Sequence, residues 1–307
     1  MPKDFLSLAD WSAAELLEIL ARARDLKRLD REGERPPTLR GRVLAMFFEK
    51  PSLRTHVTFE AGMTQLGGHA ILLRPEQVGM GSRESPADVA RNLSRWVDGI
   101  VARTFSHALL EELAQQASIP VINGLTDLLH PCQAMADLQT IAERCELKEA
   151  VIAYVGDGNN VANSLLNAAA VLGLTLRVAT PSTHRPALRV RRRAEPLAAR
   201  SGARIAFVED PVEAVKGANF IYTDTWTSMG QEQEAEVRRR IFAGYQVNAA
   251  LLAHAPEAWV MHCLPAHRGE EITEDVLDGP RSIVFDQAEN RLHSQKAILE
   301  RLLRHGA

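Results

Sequence analysis

Cysteine is almost missing from this chain. Of its 307 residues only Cys132, Cys145 and Cys263 carry a thiol. Three scattered thiols exclude a disulfide framework and a four-cysteine zinc site, so reduced thiols are expected. Lysine is scarce as well: it stands only at Lys3, Lys27, Lys50, Lys148, Lys216 and Lys296, which makes nearly all of the positive charge arginine. No uninterrupted apolar run approaches the length of a membrane span. The opening stretch, MPKDFLSLADWSAAELLEIL, puts charged and polar residues where an export signal needs apolar ones, and a cytoplasmic location is the expectation. A polybasic arm is absent too. With 36 basic against 39 acidic residues the net charge is -3, which argues against a nucleic-acid partner, and no membrane partner is expected. Hydrophobic residues make up 46% of the chain and charged residues 24%, a balance that leaves room for two α/β domains and excludes wholesale disorder.

What is present alternates. Ser12 followed by Glu15 has the spacing of a capping box, and Leu16, Ile19, Leu20, Ala23 and Leu26 then recur on one helical face. Short β-rich runs follow at 43–48, 69–73, 99–103 and 120–123, separated by helix-length segments such as 86–96 and 107–117. After the charged stretch 143–149 the alternation restarts, with runs at 151–156, 174–180, 204–208, 219–224, 258–263 and 282–286. This pattern predicts parallel sheets with crossover helices, divided into two domains. The arginine-rich run 189–200 reads as a solvated helix face.

In open parallel sheets ligands gather beyond the carboxyl ends of the strands, and polar clusters recur at those places here. Ser52, Leu53, Arg54 and Thr55 follow the first run. Hydroxyls and a guanidinium at a helix N-terminus suit a tetrahedral dianion, although an ordinary cap beside a surface arginine has the same spelling. His130 and Gln133 flank Pro131, so two donors can face one carbonyl oxygen, or His130 can be a structural core residue. The glycine turn of YVGDGNNVANS suggests a dinucleotide fingerprint but has Val161 in place of a third glycine and no acidic residue ending the next strand. Asn159 and Asn160 there offer amides to a small polar ligand or simply cap a helix. Asp224 and Ser228 in DTWTSMG offer a carboxylate and a hydroxyl for a cationic amine. MHCLPAHRG adds Cys263 and a Leu264–Pro265 bond expected to be cis. His262, Cys263 and His267 match no common zinc spacing.

In this order the motifs resemble the aspartate/ornithine transcarbamoylase family over nearly the whole chain, from FFEKPSLRT through ART, HPCQAMADLQT, GDGNNVANS, DTWTSMGQE and HCLPAHRGEEIT to FDQAENRLHSQKAIL. The resemblance implies two doubly wound domains with the active site in the interdomain cleft. Residues 1–145 would bind carbamoyl phosphate, with the C-terminal helix 288–307 packing back onto them, and residues 146–287 would bind ornithine. The implied reaction moves a carbamoyl group from carbamoyl phosphate to the δ-amine of L-ornithine, giving citrulline for arginine biosynthesis or catabolism. A homotrimer or a higher assembly of trimers is implied, and no cofactor or metal.

Residue by residue, the resemblance places Ser52, Leu53, Arg54 and Thr55 around the phosphate and Arg103, His130 and Gln133 at the carbamoyl group. Cys263, Leu264 and Arg291 complete that set, with Cys263 and Leu264 flanking the reacting amine. Asn160, Asp224, Ser228 and Met229 would bind ornithine, and Arg103, His130, Cys263 and Asp224 would carry the chemistry. Leu53 and His56 stand where the family pattern has threonine and arginine, and Arg83 is the nearest cation in a loop where a lysine is common. Asp224 speaks against aspartate as acceptor. N-acetylornithine and putrescine remain open as acceptors, as does a silent relative acting as a binding subunit.

Overall fold

Among the described residues, nine parallel strands in two sheets organise the chain, and the reason is visible strand by strand. The computed structural model describes residues 2–228, 230 and 232–304. The first sheet contains β1 (Val43–Phe48), β2 (His69–Leu73), β3 (Gly99–Arg103) and β4 (Val121–Leu125) in the order β2-β1-β3-β4. The second contains β5 (Val151–Val155), β6 (Thr175–Ala179), β7 (Arg204–Val208), β8 (Phe220–Thr223) and β9 (Trp259–His262) in the order β7-β6-β5-β8-β9. Central strands such as Gly99–Arg103 are buried along their whole length, as a sheet covered by helices on both faces requires, whereas β2 and β7, at the edges, are largely accessible. The chain divides into two compact units, Met1–Gln139 with Glu289–Ala307, and Thr140–Ala288.

In the first unit the helix Ala13–Arg31 opens with the expected capping box between Ser12 and Glu15 and buries Leu16, Ile19, Leu20, Ala23 and Leu26. Ala45, Ile100 and Ala102 on the sheet pack with Val89, Ala90 and Leu93 of the helix Pro86–Trp96 and Leu110 and Leu113 of the helix His107–Gln116. In the second unit Ala153, Val155, Ile221 and Val260 form the sheet side of a core closed by Leu251, Ile272 and Val276. The arginine-rich run lies on the helix Leu188–Ser201. Only Val190 and Ala194 are buried there, while Arg189, Arg192, Arg193 and Arg200 face solvent.

One expected strand does not form. Residues 282–286 touch β9 through the single bridge Val260↔Ser282, and the closing helix Val284–Leu303 starts inside them. A short apolar run carries no period of its own. Here the 3.6-residue recurrence of buried Val284, Gln287, Asn290, Arg291 and Ser294 decides, and Phe285 is left 72% exposed on the outer side. Asp286 sits in the first turn, where a carboxylate suits the helix N-terminus.

The turn after β5 is fixed by an ion pair and by a glycine. A Cβ on Gly158 would lie 2.3 Å from the Pro186 nitrogen, so no other residue lets the turn approach that closely. Asp157 pairs with Arg238 of the helix Ala235–Phe242, both buried, and the Arg238 Nε donates to the Trp226 carbonyl at 2.5 Å. Burial raises the Asp157 carboxyl from 3.8 to about 6, against the opposing pull of Arg238 and with a further push from Asp224. The folded state therefore keeps a proton that the unfolded chain releases. That contribution to stability is complete below about pH 4 and disappears as pH rises through about 6. Urea unfolding of wild type and Asp157→Asn at several pH values is expected to show the wild type losing about 2 kcal/mol relative to the variant between pH 4 and 7. A difference that is flat, or that grows with pH, contradicts this account.

Candidate functional site

Strand order says where to look. In the first sheet the chain moves outward from β1 to β2 and then returns to place β3 on the other side of β1. The second sheet reverses in the same way between β5 and β8. Ligands of open α/β sheets bind at the carboxyl ends of the strands flanking such a reversal. The predicted polar residues stand at those ends in both units.

In the first unit β1 runs into Ser52, whose Oγ accepts from the Thr55 amide at 3.2 Å and caps the helix Leu53–Gln65. The amides of Leu53 and Arg54 lie in the first turn, where a helix supplies no acceptor for them. Leu53 is 74% exposed, so what it adds to the turn is its backbone N–H. His56 pairs with Glu60 on the same helix, and Arg83 pairs with Glu84 at the surface. Arg103 ends β3 at a register shift: Ala102 is opposite Asn123 but Arg103 is opposite Leu125. Bulges of this kind re-aim a side chain. Gly124 is the extra residue, and a Cβ there would crowd the Ala102 carbonyl at 3.2 Å.

His130 and Gln133 start the helix Pro131–Ala142, and both are buried. The closing helix delivers Arg291, 2% exposed, whose Nη1 donates to Gln133 Oε1 at 2.7 Å and whose Nη2 donates to Thr55 Oγ1 at 3.0 Å. Burial, and then the charges of Arg291, Arg103 and Arg54, hold the His130 imidazole well below its ordinary value. It is neutral at physiological pH, a hydrogen-bonding group ringed by three guanidiniums. Cys132 points away from this chemistry: burial pushes its thiol up to about 12, and its Sγ donates to the Asn123 carbonyl.

In the second unit the helix Asn160–Leu172 follows β5, and Asn159 is its cap, accepting from the amides of Val161 and Ala162. The other end of the Asn159 amide donates to Asp224 Oδ2 at 2.7 Å, just beyond β8. Cys263, just beyond β9, donates its thiol to Asp224 Oδ1 at 3.1 Å. Asp224 and Cys263 are thus brought together. Asn160 begins the helix beside them and Ser228 lies half-buried in the loop after β8, while Met229 falls outside the described residues. The Leu264–Pro265 bond is cis, and Leu264 has a positive φ of 57°. Its amide donates to His262 Nδ1 at 2.9 Å, while His262 Nε2 faces Glu271 Oε1 at 3.1 Å. Asp224, His262 and Cys263 come close enough together to share a cation. Both His262 nitrogens are nevertheless committed, Nδ1 to the Leu264 amide and Nε2 to Glu271, and that leaves no imidazole lone pair for a metal.

Two features of this arrangement escape a reading by motif. Of the two readings open for Asn159, ligand amide or helix cap, it is the cap, and its bond to Asp224 is what the sequence does not declare. The signal for the cap was its place directly before a helical run. Glu271 is fully buried and holds both the His267 amide and the His262 ring, but in the sequence it is one of several acidic residues after a glycine.

Comparison with known proteins finds a match for both halves of the chain. Residues 3–143 match the aspartate/ornithine carbamoyltransferase carbamoyl-P binding domain, and residues 148–302 match the Asp/Orn binding domain of the same family. The chain is 50% identical over 305 residues to an ornithine carbamoyltransferase of Syntrophotalea carbinolica, covering 99% of this chain and 100% of that protein. It is 52% identical to the anabolic ornithine carbamoyltransferase of Pyrococcus furiosus, covering 97% of this chain and 95% of that protein. The solved structure of ornithine carbamoyltransferase from Pyrococcus furiosus superposes with a TM-score of 0.95 at 51% identity, covering 99% of this chain and 97% of that one. That from Thermus thermophilus gives 0.88 at 49% identity, with 99% of each chain covered. Two matched domains that together span nearly every strand and helix described above leave one conclusion: the chain belongs to the aspartate/ornithine carbamoyltransferase family.

Proposed function

We propose that the chain transfers the carbamoyl group of carbamoyl phosphate to the δ-amine of L-ornithine, releasing citrulline and phosphate. The observation that carries the choice of acceptor is Asp224, a buried carboxylate held by two neutral donors, Asn159 and Cys263. A carboxylate so held attracts the ammonium group of ornithine and repels the side chain of aspartate. In this reading residues 1–145 with the closing helix bind carbamoyl phosphate, and residues 146–287 bind ornithine through Asn160, Asp224, Ser228 and Met229.

The amides of the helix start, with Ser52, Leu53, Arg54 and Thr55, take the phosphate. Arg103, His130 and Gln133 take the carbamoyl group, Arg291 supplies charge to both, and Cys263 and Leu264 flank the amine. The neutral amine attacks the carbamoyl carbon and its electron pair forms the new C–N bond. The carbonyl oxygen gains negative charge opposite Arg103, His130 and Thr55. The C–O bond to phosphorus's oxygen then breaks, phosphate departs against Arg54, and the surplus proton of the amine leaves with it. His130 acts as a neutral donor throughout, since its imidazole is held well below the ordinary range.

The proton that matters is therefore that of the ornithine amine. Turnover at saturating substrates is expected to rise between about pH 6 and 9 as the amine loses its proton, with no limb from His130 in that window. A profile flat over the same range contradicts the mechanism.

For the acceptor, citrulline formation is measured with L-ornithine and compared with L-aspartate, N-acetylornithine and putrescine. Ornithine is expected to be the preferred substrate, and Asp224→Asn is expected to lower kcat/KM for ornithine by about 100- to 1,000-fold through loss of the charge. Carbamoyl phosphate binding is expected to survive that change. A variant with near-normal ornithine kinetics overturns the role of Asp224, and a preference for another amine overturns the choice of substrate.

The reading includes a homotrimer, or a higher assembly of trimers, as the family resemblance implies. Apolar Leu53, Val57, Ile71 and Leu72 are exposed on the first unit, the last two on an edge strand, which supports an interface there. Sedimentation equilibrium is expected to return three times, or a multiple of three times, the chain mass of 33.9 kDa. A monomer or dimer contradicts it.

A further inference from the structure

The closing helix carries a residue that no motif singles out. Gln295 lies one turn after Arg291, on the same face, and is fully buried. Only one orientation of its amide gives both ends a partner. In that orientation the oxygen accepts from Arg291 Nε at 3.1 Å and from Nη2 at 2.9 Å, and the nitrogen donates to Thr58 Oγ1 at 2.5 Å. The Thr58 hydroxyl uses its own proton on the Arg54 carbonyl at 2.6 Å, so its oxygen is free to accept, and the directions agree.

The bonds form one chain. Asp137 Oδ1 accepts from Gln133 Nε2 at 2.8 Å, and Gln133 Oε1 accepts from Arg291 Nη1 at 2.7 Å. Arg291 then donates to Thr55 and to Gln295, and Gln295 passes the chain through Thr58 to the backbone of Arg54. Two properties follow. The guanidinium is tied from a second side to the helix whose first turn holds Ser52, Leu53, Arg54 and Thr55. Gln295, like Gln133 and Thr55, accepts from it without bringing a charge of its own. A carboxylate in direct contact would fix the guanidinium equally well but would offset the charge an incoming anion needs.

We propose that Gln295 is a positioning residue for anion binding: it fixes the Arg291 guanidinium against the phosphate-binding helix without adding a negative charge beside it. The assignment rests on the proposed function, in which Arg291 meets that substrate. Shape alone does not account for the residue, since a core-filling side chain would need no acceptor aimed at Nε and Nη2.

Two variants separate charge from shape. Gln295→Glu keeps the size and an acceptor but adds a negative charge against Arg291, whereas Gln295→Met keeps the volume and removes both hydrogen bonds. Calorimetric titration with carbamoyl phosphate and steady-state kinetics with both substrates are compared with wild type. Gln295→Glu is expected to raise Kd and KM for carbamoyl phosphate about 10- to 100-fold, and Gln295→Met about 5- to 10-fold, from the usual strength of hydrogen bonds to charged groups. KM for ornithine is expected to stay within about twofold in both, because Arg291 is not an ornithine ligand in this reading.

Equal shifts for the two substrates, or a Glu variant no weaker than the Met variant, make Gln295 a packing residue and overturn the proposal. Should Gln295→Glu fail to fold, an unchanged Kd in Gln295→Met overturns it as well. If wild type binds carbamoyl phosphate but carbamoylates no amine, the proposed reaction fails while the calorimetric comparison still decides the role of Gln295. Wild type that binds no carbamoyl phosphate overturns both.

Discussion

A buried guanidinium held by neutral side chains is the constraint on which the first unit is built. Taking a guanidinium out of water costs several kcal/mol, and proteins usually offset that with a carboxylate in direct contact. Arg291 donates to the amides of Gln133 and Gln295 and to the hydroxyl of Thr55. These partners hold it in place without adding negative charge of their own, and burial, then the charges of Arg291, Arg103 and Arg54, hold the His130 imidazole well below its ordinary value. Much else in the unit serves this arrangement. The bulge at Gly124 aims Arg103, Ser52 starts a helix whose first amides face outward from the end of β1, and the closing helix returns to bring Arg291 to them.

The second unit treats two carboxylates in opposite ways, and the contrast shows how charge is assigned to structure or to function. Asp157 pairs with Arg238, and the pair joins the turn after β5 to the helix Ala235–Phe242. Its charge is spent inside the fold. Asp224 is equally buried but is held by the amide of Asn159 and the thiol of Cys263, neither of which carries a full positive charge. Its negative charge is oriented and remains available to a cation. Neutral partners around a buried charge, Gln for the arginine and Asn for the aspartate, are thus the common device of the two units.

Much of this was legible in the sequence. Strand runs such as 43–48 and 99–103, the capping box at Ser12, the cap at Ser52 and the cis bond before Pro265 each depend on neighbours a few residues away, and each reads locally. The run 282–286 misled because four apolar or small residues have no period, and the helix that claims them is declared only by residues further on. The cap at Asn159 was open to a local reading, but the bonding partners of Asn159 and Gln295 were not, for a different reason. Their partners, Asp224 and Thr58, lie 65 positions away in the first case and on another helix in the second, so no local spelling distinguishes them from ordinary polar residues.

Leu53 brings the same logic to a position where the chain departs from the pattern of its family. A threonine there can add a neutral hydroxyl to a phosphate oxygen, and this chain omits it. The side chain is exposed while the amide remains in the first turn of the helix, beside that of Arg54. Backbone donors of this kind carry no net charge, cost no side-chain entropy to order and do not compete with a guanidinium for its role. In the proposed reading, losing one hydroxyl therefore removes one contact from a set whose attraction for a dianion would come from Arg54, Arg103 and Arg291. Replacing a neutral residue that holds Arg291, such as Gln295, by an acid would change the attraction itself. In this fold the residues that matter for binding an ion are consequently of two kinds, those that carry the charge and those that restrain it while staying neutral, and only the first kind announces itself by type.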